Sequence, residues 1–541
     1  MHLIVRTRQI LIVLILGLPV LLSAQLDFTS SNLPIVVIDT DSQEIVDEYR
    51  IVANMGIIKN GEGVRNHITD PFNDYSGKII IEIRGSTSQS YFKKSYGFET
   101  QYEHGEKRNV SLINLPEEND WVLHAPYSDK TLFRNILAYK LARDLGQYAP
   151  RTKLCELILN GEYQGVYVLI EKIKRDWNRV NISQLNTEDL SSEDISGGYI
   201  IKIDKLTGNS GPSWQSEIGG ILFQYEYPRY DEILPEQKTY IKNYLDVFEE
   251  ALIADHYADP GIGYRKYMDE NSFIDFFIIN ELSKNVDAYM LSTFLYKDKD
   301  SNYGKLCMGP IWDFNLSFGN ADYRDAHLAD GLQLNINKVP WWWDRILQDT
   351  TFKDHIHEKW SSIREKQYSD VSITSLIDSL SLLLNEAQER NFVKWDLLGR
   401  KVWPNYYVGQ SYEDEVDILK NWTFQRLKWL DDSLSFAIGI HKSKLYPNEN
   451  TAIPLKLETK VYPNPFNSNF NYDFALNRPG EISLRLYDLK GAQVSAIINE
   501  VYYPAGSHSI NWQSPEIPGS IYVLILKIDG EIVSVQKLVK L

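Results

Sequence analysis

The chain has 541 residues, room for about two to four domains at roughly 100 to 200 residues each, which excludes a minimal binding module. Apolar residues make up 43% and charged residues 24%, a balance that can bury a sizeable core and excludes a disordered acidic tail. With 56 Lys and Arg against 73 Asp and Glu, the formal charge is -17, a field that repels phosphate backbones and anionic membranes and argues against nucleic-acid binding.

Residues 1–24 read as a secretory signal peptide, with Arg6 and Arg8, an apolar run over residues 10–22, and the small pair Ser23-Ala24 before Gln25. The run is shorter than the roughly 20 residues that a membrane span needs, and no Cys follows it to carry a lipid. No later stretch is comparably apolar, so an exported chain with no transmembrane span is expected. The two cysteines, Cys155 and Cys307, sit in apolar strand-like runs and read as buried small hydrophobes in preference to a disulfide pair.

Residues 33–219 read mostly as short strands, at 35–38, 78–83, 96–100, 154–159, 165–171 and 198–203, with Asn160-Gly161 as a tight hairpin turn. One helix interrupts them, capped by Ser128-Asp129 and carrying the apolar residues Leu132, Phe133, Ile136, Leu137, Tyr139 and Leu141. After about Pro235 the spacing turns helical, over 240–253, 272–282, 372–390 and 413–437. This order predicts an α+β fold with a strand-rich first lobe, a helix-rich second lobe and a ligand cleft between them. Residues 436–460 are a polar, Pro-interrupted linker. Residues 461–541 read as an all-β sandwich, with period-two alternation at 482–487, a turn at Asp488-Leu489-Lys490-Gly491 and a returning apolar strand at 521–528.

The common phosphate-cradling loops and the HExxH and GxSxG motifs are absent. His355 and His357 stand two apart, and on a helix such residues point away from each other. The segment from Asp298 to Gly304 resembles the start of a calcium loop but has Tyr303 at its sixth position and Gly309 at its twelfth. Trp341-Trp342-Trp343 offers a sugar platform if exposed, although consecutive rings on a helix diverge and such clusters are usually part core.

Two acid-bearing segments survive. Asn285-Val286-Asp287 follows an apolar helix, and Gly309-Pro310-Ile311-Trp312-Asp313-Phe314-Asn315 follows a hairpin. Acids leaving adjacent ends of one hairpin can converge on a ligand, and a carboxylate pair suits metal-dependent phosphoryl transfer, although solvated loop carboxylates are common. In the strand half, Arg84-Gly85-Ser86-Thr87-Ser88-Gln89 and Lys93-Lys94 combine small hydroxyl residues with cations. Taken alone they read as an ordinary hairpin.

The string Arg84-Gly85-Ser86 with Lys93-Lys94-Ser95-Tyr96 resembles the CotH protein kinase family. So do Asn119-Asp120-Trp121-Val122-Leu123, Ser128-Asp129-Lys130 up to Arg134-Asn135, and Asn160-Gly161-Glu162-Tyr163-Gln164-Gly165-Val166-Tyr167 leading to Glu171-Lys172. Asn285-Val286-Asp287 and Gly309-Pro310-Ile311-Trp312-Asp313-Phe314 match its second half, so that the likeness spans about residues 33–435. It implies a two-lobed atypical protein-kinase-like body that transfers the ATP γ-phosphate to Ser or Thr of exported or surface proteins with Mg2+ or Mn2+. In that carry-over Asp287 is the catalytic acid, Asp313 and Asn315 hold the metal, and Arg84 and Lys94 contact phosphate, with Glu171 and Arg134 in supporting nucleotide-site roles. A cluster of Arg84, Lys94 and Lys172 facing the two acids is expected. Asn315 replaces an acid usual in the family and supplies an oxygen without a charge.

Residues 461–541 resemble the type A sorting domain of the type IX secretion system. The likeness rests on Val461-Tyr462-Pro463-Asn464-Pro465-Phe466, Leu486-Tyr487-Asp488-Leu489-Lys490-Gly491, Ala505-Gly506-Ser507-His508, Tyr522 and Lys537-Leu538-Val539. It implies a Bacteroidetes-like source, passage through the type IX machinery, and a secreted or outer-membrane surface location. The alternative is a catalytically weak kinase-like module for surface binding or structure, with glycan as one ligand. A glycosidase, which needs two acids about 5 to 10 Å apart across a sugar cleft, is disfavoured by the family likeness.

Overall fold

The structure is a computed structural model that describes residues 28–206, 212–337, 339–437, 459–476, 480–488, 492–503, 506–514, 517–528 and 531–541. The expected signal peptide and residues 438–458 of the expected linker lie outside the described residues. Two compact units divide the chain, Met1–Ile440 and His441–Leu541.

In the first unit seven strands close a barrel: β1 (Ile35–Asp39), β2 (Ile51–Ile58), β3 (Tyr75–Arg84), β4 (Ser95–Gln101), β5 (Asp120–His124), β6 (Thr152–Leu159) and β7 (Glu162–Glu171). Their order is β1-β2-β3-β4-β5-β7-β6, and a parallel pairing of β1 with β6 closes the circle. Side chains alternate across each strand. On β7, Tyr167 and Leu169 enter the barrel core with Ile38, Ile81, Phe98 and Trp121, whereas Val166, Val168 and Ile170 enter the main core of the unit. Burial on both faces explains why β7 reads as a continuous apolar run. The β6-β7 turn is Asn160-Gly161, with φ of 50° and 79°, the left-handed pair that a tight hairpin requires.

Helix α1 (Arg134–Asp144) joins the main core through Leu137, Ala138, Tyr139 and Leu141. It starts later than the expected cap, yet Asp129 still serves its first turn, because the carboxylate accepts from the Arg134 N–H at 2.7 Å. A second sheet carries β8 (Tyr199–Ile203), β9 (Ser213–Gln215), β10 (Leu222–Tyr227), β11 (Thr293–Lys297) and β12 (Leu306–Met308), in the order β9-β10-β8-β11-β12. The strand expected at 198–203 therefore pairs with β11, beyond two intervening helices, instead of joining the barrel.

Helices α2 (Pro235–Ile253), α3 (Glu270–Ser283), α4 (Trp342–Ile346), α5 (Thr350–Arg364), α6 (Asp370–Leu384), α7 (Ala387–Lys394) and α8 (Tyr412–Ala437) complete the unit. The single helix expected at 372–390 is two, α6 and α7. Trp342 and Trp343 are fully buried against Phe223, Phe248, Phe273 and Tyr289. That corrects the idea of a sugar platform, because two of its three rings are core. Cys155 and Cys307 are free thiols, the first buried and the second half-buried.

The second unit has a three-stranded sheet of β13 (Thr459–Tyr462), β14 (Asn469–Leu476) and β17 (Gly506–Gln513), and a four-stranded sheet of β15 (Gly480–Tyr487), β16 (Gln493–Tyr503), β18 (Ser520–Ile528) and β19 (Glu531–Lys540). Phe470, Tyr472 and Phe474 from one sheet share a core with Ile482, Leu484, Leu524 and Leu526 from the other. Among the described residues, no helix is long and apolar enough to cross a membrane.

Candidate active site

Helix α3 is buried around almost its whole circumference, so its end is held by packing and its exit loop is well defined. The helix stops at Lys284, whose φ of 47° is left-handed. The Lys284 ammonium is buried and donates to the carbonyls of Asp325, Leu328 and Asp330 at 2.8, 3.1 and 2.5 Å. Next to it, Glu281 accepts from the N–H groups of Gln333 and Leu334 at 2.7 and 2.9 Å and lies 3.3 Å from Arg426. A buried ion pair is tolerable only when its remaining hydrogen-bonding capacity is filled in this way. Asp287 lies three residues beyond Lys284. Asn337 brackets it by donating to the carbonyls of Val286 and Ala288 at 3.1 and 2.9 Å.

Asp313 arrives from the other end of the β11-β12 hairpin, whose register pairs Leu295 with Met308. Its φ of 66° is left-handed, an arrangement that costs a non-glycine residue of order 1 kcal/mol or more and persists only when neighbours over-determine it. The neighbours are on α1. The Tyr139 hydroxyl accepts from the Asp313 N–H at 3.2 Å, Asn135 Oδ1 accepts from the Phe314 N–H at 2.7 Å, and Arg134 Nε donates to the Ser317 carbonyl at 3.1 Å. The Phe318 N–H also donates to the carbonyl of Ser283 at 2.7 Å, which ties the loop to the end of α3.

Both acids line one cleft of about 610 Å³, together with Asn315, the loop from Arg84 to Ser88, and Lys172, Lys202 and Lys205. Burial pushes the Asp313 carboxyl up to about 6, and the charge of Asp287 adds to the rise while Arg84 opposes it. Asp287 is also raised by burial, against the pull of Arg324 and Lys205. The guanidinium of Arg84 sits 5.3 Å over the Trp312 ring, beside Asp313.

The cleft thus gathers Asp287, Asp313, Asn315, Arg84 and Lys172. Lys94, Glu171 and Arg134 are not among its lining residues. The Lys94 ammonium donates to the Gln89 carbonyl at 2.6 Å and closes its own loop, so the phosphate contact expected of it lacks geometric support. Glu171 is fully buried and bonds Arg151 at 2.8 Å and Tyr148 at 3.1 Å. Arg134 pairs with Asp129 at 2.6 Å and orients the Asp313 loop from behind. Sequence reasoning missed Lys202, Lys205, His124, Tyr323 and Arg324. None belongs to a motif, and the strand neighbours on the same faces, Val122 beside His124 and Ile200 beside Lys202, are apolar.

Two carboxylates and an amide oxygen are hard donors of the kind that magnesium and manganese prefer. The mutual repulsion of Asp287 and Asp313 is a strain that a bound cation relieves. Among the described residues there is no group of three or more His, Cys, Asp or Glu positioned to hold a metal, so a cation here must draw its further ligands from Asn315, water or a phosphate.

An α+β body with a polar cleft and paired acids on the loops after α3 and β12 is the class that fold and site define. The CotH kinase protein family matches residues 81–430, and the chain belongs to that family. The type IX secretion system C-terminal sorting domain matches residues 460–541, which marks the chain for secretion and attachment at the cell surface. No curated protein matches. Among solved structures, the Helicobacter pylori proinflammatory kinase CtkA is 11% identical, with 60% of this chain and 93% of that chain covered and a TM-score of 0.26. The Pseudomonas fluorescens alkylpurine DNA glycosylase AlkC, bound to DNA with an abasic site analog, is 10% identical with a TM-score of 0.13. There 36% of this chain is covered, and the chain spans about half, 54%, of the glycosylase chain.

Proposed function

We propose that the cleft transfers the γ-phosphate of ATP to a seryl or threonyl hydroxyl of an exported or surface protein, in a two-lobed kinase-like body. The observation that supports this reading most is the shared cleft of Asp287, Asp313, Arg84 and Lys172 in a chain whose net charge is strongly negative. Asp287 accepts the proton of the acceptor hydroxyl, a role for which burial-raised basicity is useful. Arg84 and Lys172 face phosphate oxygens. Asp313 and Asn315 would hold Mg2+ or Mn2+, which when bound neutralises charge on the phosphates. Tyr139, Asn135 and Arg134 keep Asp313 in its left-handed conformation. Glu171 and Lys94 act at a distance, the first by anchoring the end of β7 beside Lys172 through Arg151 and Tyr148 and the second by closing the loop after Arg84. Export would proceed through a signal peptide to the periplasm and then through the type IX machinery to a secreted or outer-membrane state.

A second reading is a kinase-like surface module with weak catalysis, and Asn315 favours it, since an amide supplies a metal oxygen but no charge. Labelled ATP with Mg2+ or Mn2+, incubated with the purified chain and candidate surface proteins, separates the two. Self-labelling or substrate labelling is expected to fall by about 100-fold or more in Asp287→Ala and in Asp313→Ala. Absence of labelling, or labelling that survives both changes, sinks the kinase reading.

A further inference from the structure

Beside Asp287 the cleft opens along an aromatic edge that the phosphotransfer reading leaves unused. Tyr323 and Trp403 stack with centroids 6.2 Å apart and planes 5° apart, and Trp403 is 55% exposed. Tyr91, which lines the same cleft, donates its hydroxyl to the Trp403 carbonyl at 2.8 Å and stacks on Tyr127 at 5.0 Å. The loops that carry the rings are pinned together. The Asp322 N–H donates to the Pro404 carbonyl at 2.8 Å, the Tyr406 N–H to the Asn320 carbonyl at 2.8 Å, and Lys401 to Asp322 at 2.7 Å. A rigid exposed ring of this kind supplies contact area at little cost in conformational entropy.

Arg324 links this edge to the reacting end. Its guanidinium lies 5.8 Å over the Tyr323 ring, and Nη1 donates to the Val286 carbonyl at 2.9 Å and lies 3.9 Å from Asp287. Of the carboxylates at this edge, Asp322 is engaged by Lys401, and Asp287, 3.9 Å from Arg324, is the one that meets the reacting hydroxyl. Away from the reacting end the edge offers donors, because Nε and Nη2 of Arg324 make no hydrogen bond among the described residues. Donors beside one flat apolar face suit a peptide, whose carbonyls accept and whose neighbouring ring stacks. A sugar, whose hydroxyls also need acceptors, is served less well.

We propose that Tyr323, Trp403 and Arg324 form an acceptor subsite that selects a seryl or threonyl hydroxyl flanked by an aromatic or prolyl residue. The inference rests on the phosphotransfer reading and narrows its acceptor.

Short labelled serine peptides that differ only in carrying Trp, Pro or Ala beside the serine test this on the purified full chain. Binding is read by fluorescence anisotropy, and the same peptides are then assayed for phosphate incorporation from ATP. The Trp and Pro peptides are expected to bind about tenfold tighter than the Ala peptide. Trp403→Ala is expected to erase that difference and Trp403→Phe to keep it. Equal binding of the three peptides, or a preference that survives Trp403→Ala in a variant with unchanged Tm, overturns the subsite. Selective, Trp403-dependent binding without incorporation supports the subsite and sinks the phosphotransfer reading. Incorporation without any flank preference does the reverse. Trp403-dependent retention of a soluble glycan, with no preference among peptides, overturns the peptide as occupant.

Discussion

At the scale of single residues, the cleft is an electrostatic compromise between burial and charge. Asp313 is raised to about 6 by burial first and by Asp287 second, so an added negative charge nearby strengthens the demand for a cation. Asn315→Asp is therefore expected to lower, by about tenfold, the Mg2+ concentration for half-maximal nucleotide binding, measured by titration with a fluorescent ATP analogue. An unchanged metal requirement would remove Asn315 from the metal site. His124, which lines the same cleft, is held at about 4 against an ordinary 6.5, by burial and then by Lys93 and Arg84, although Asp129 pulls the other way. The unfolded chain therefore binds a proton that the folded chain refuses between these values, and the stabilisation present above about 6.5 is lost as pH falls toward 4. In urea unfolding, the wild type is expected to lose stability over that window relative to His124→Gln. Parallel curves for the two proteins count against a neutral His124.

At the scale of elements, a buried cation and a buried ion pair brace the loop that bears Asp287. Lys284→Met keeps the apolar stem but leaves three carbonyls without their donor, and about 3 kcal/mol of unfolding free energy is expected to be lost. A loss under about 1 kcal/mol in chemical denaturation means that water replaces the ammonium and that the loop is held otherwise. Much of the element level was legible in sequence, because β7 and α3 are long apolar runs buried on all sides and α8 carries a helical apolar period. Strand β2 was not read, since the exposed apolar Val52 and the small Ala53 and Gly56 blur an alternation that buries Ile51, Ala53, Met55 and Ile57. At Gly56 a Cβ would stand 2.4 Å from the Phe72 ring, so that glycine marks a close approach by a distant residue, which no local pattern announces. The division of residues 372–390 into α6 and α7 was hidden for the same reason. Neither Asn385 nor Glu386 is a strong breaker, and α7 is held on β7 through Asn391, whose Oδ1 accepts from the Val166 N–H at 3.1 Å.

At the scale of the whole molecule, the two compact units carry separate cores. Truncation after Ile440 is expected to leave the unfolding transition of the first unit within about 1 kcal/mol of its value in the full chain, while secretion to the cell surface is abolished. Loss of the cooperative transition on truncation would show that the units fold as one. The sequence by itself determined the α+β class, the acids Asp287 and Asp313 on loops after a helix and a hairpin, the hairpin at Asn160-Gly161 and the β-rich tail, because periodicity and turn chemistry act over a few residues. Only the tertiary structure decided that Lys172 reaches the cleft while Lys94 closes its own loop, that Trp342 and Trp343 are core, and that β8 pairs with β11 instead of the barrel. Each of those outcomes depends on which distant backbone group or apolar surface a side chain meets, and short-range pattern carries no information about that meeting.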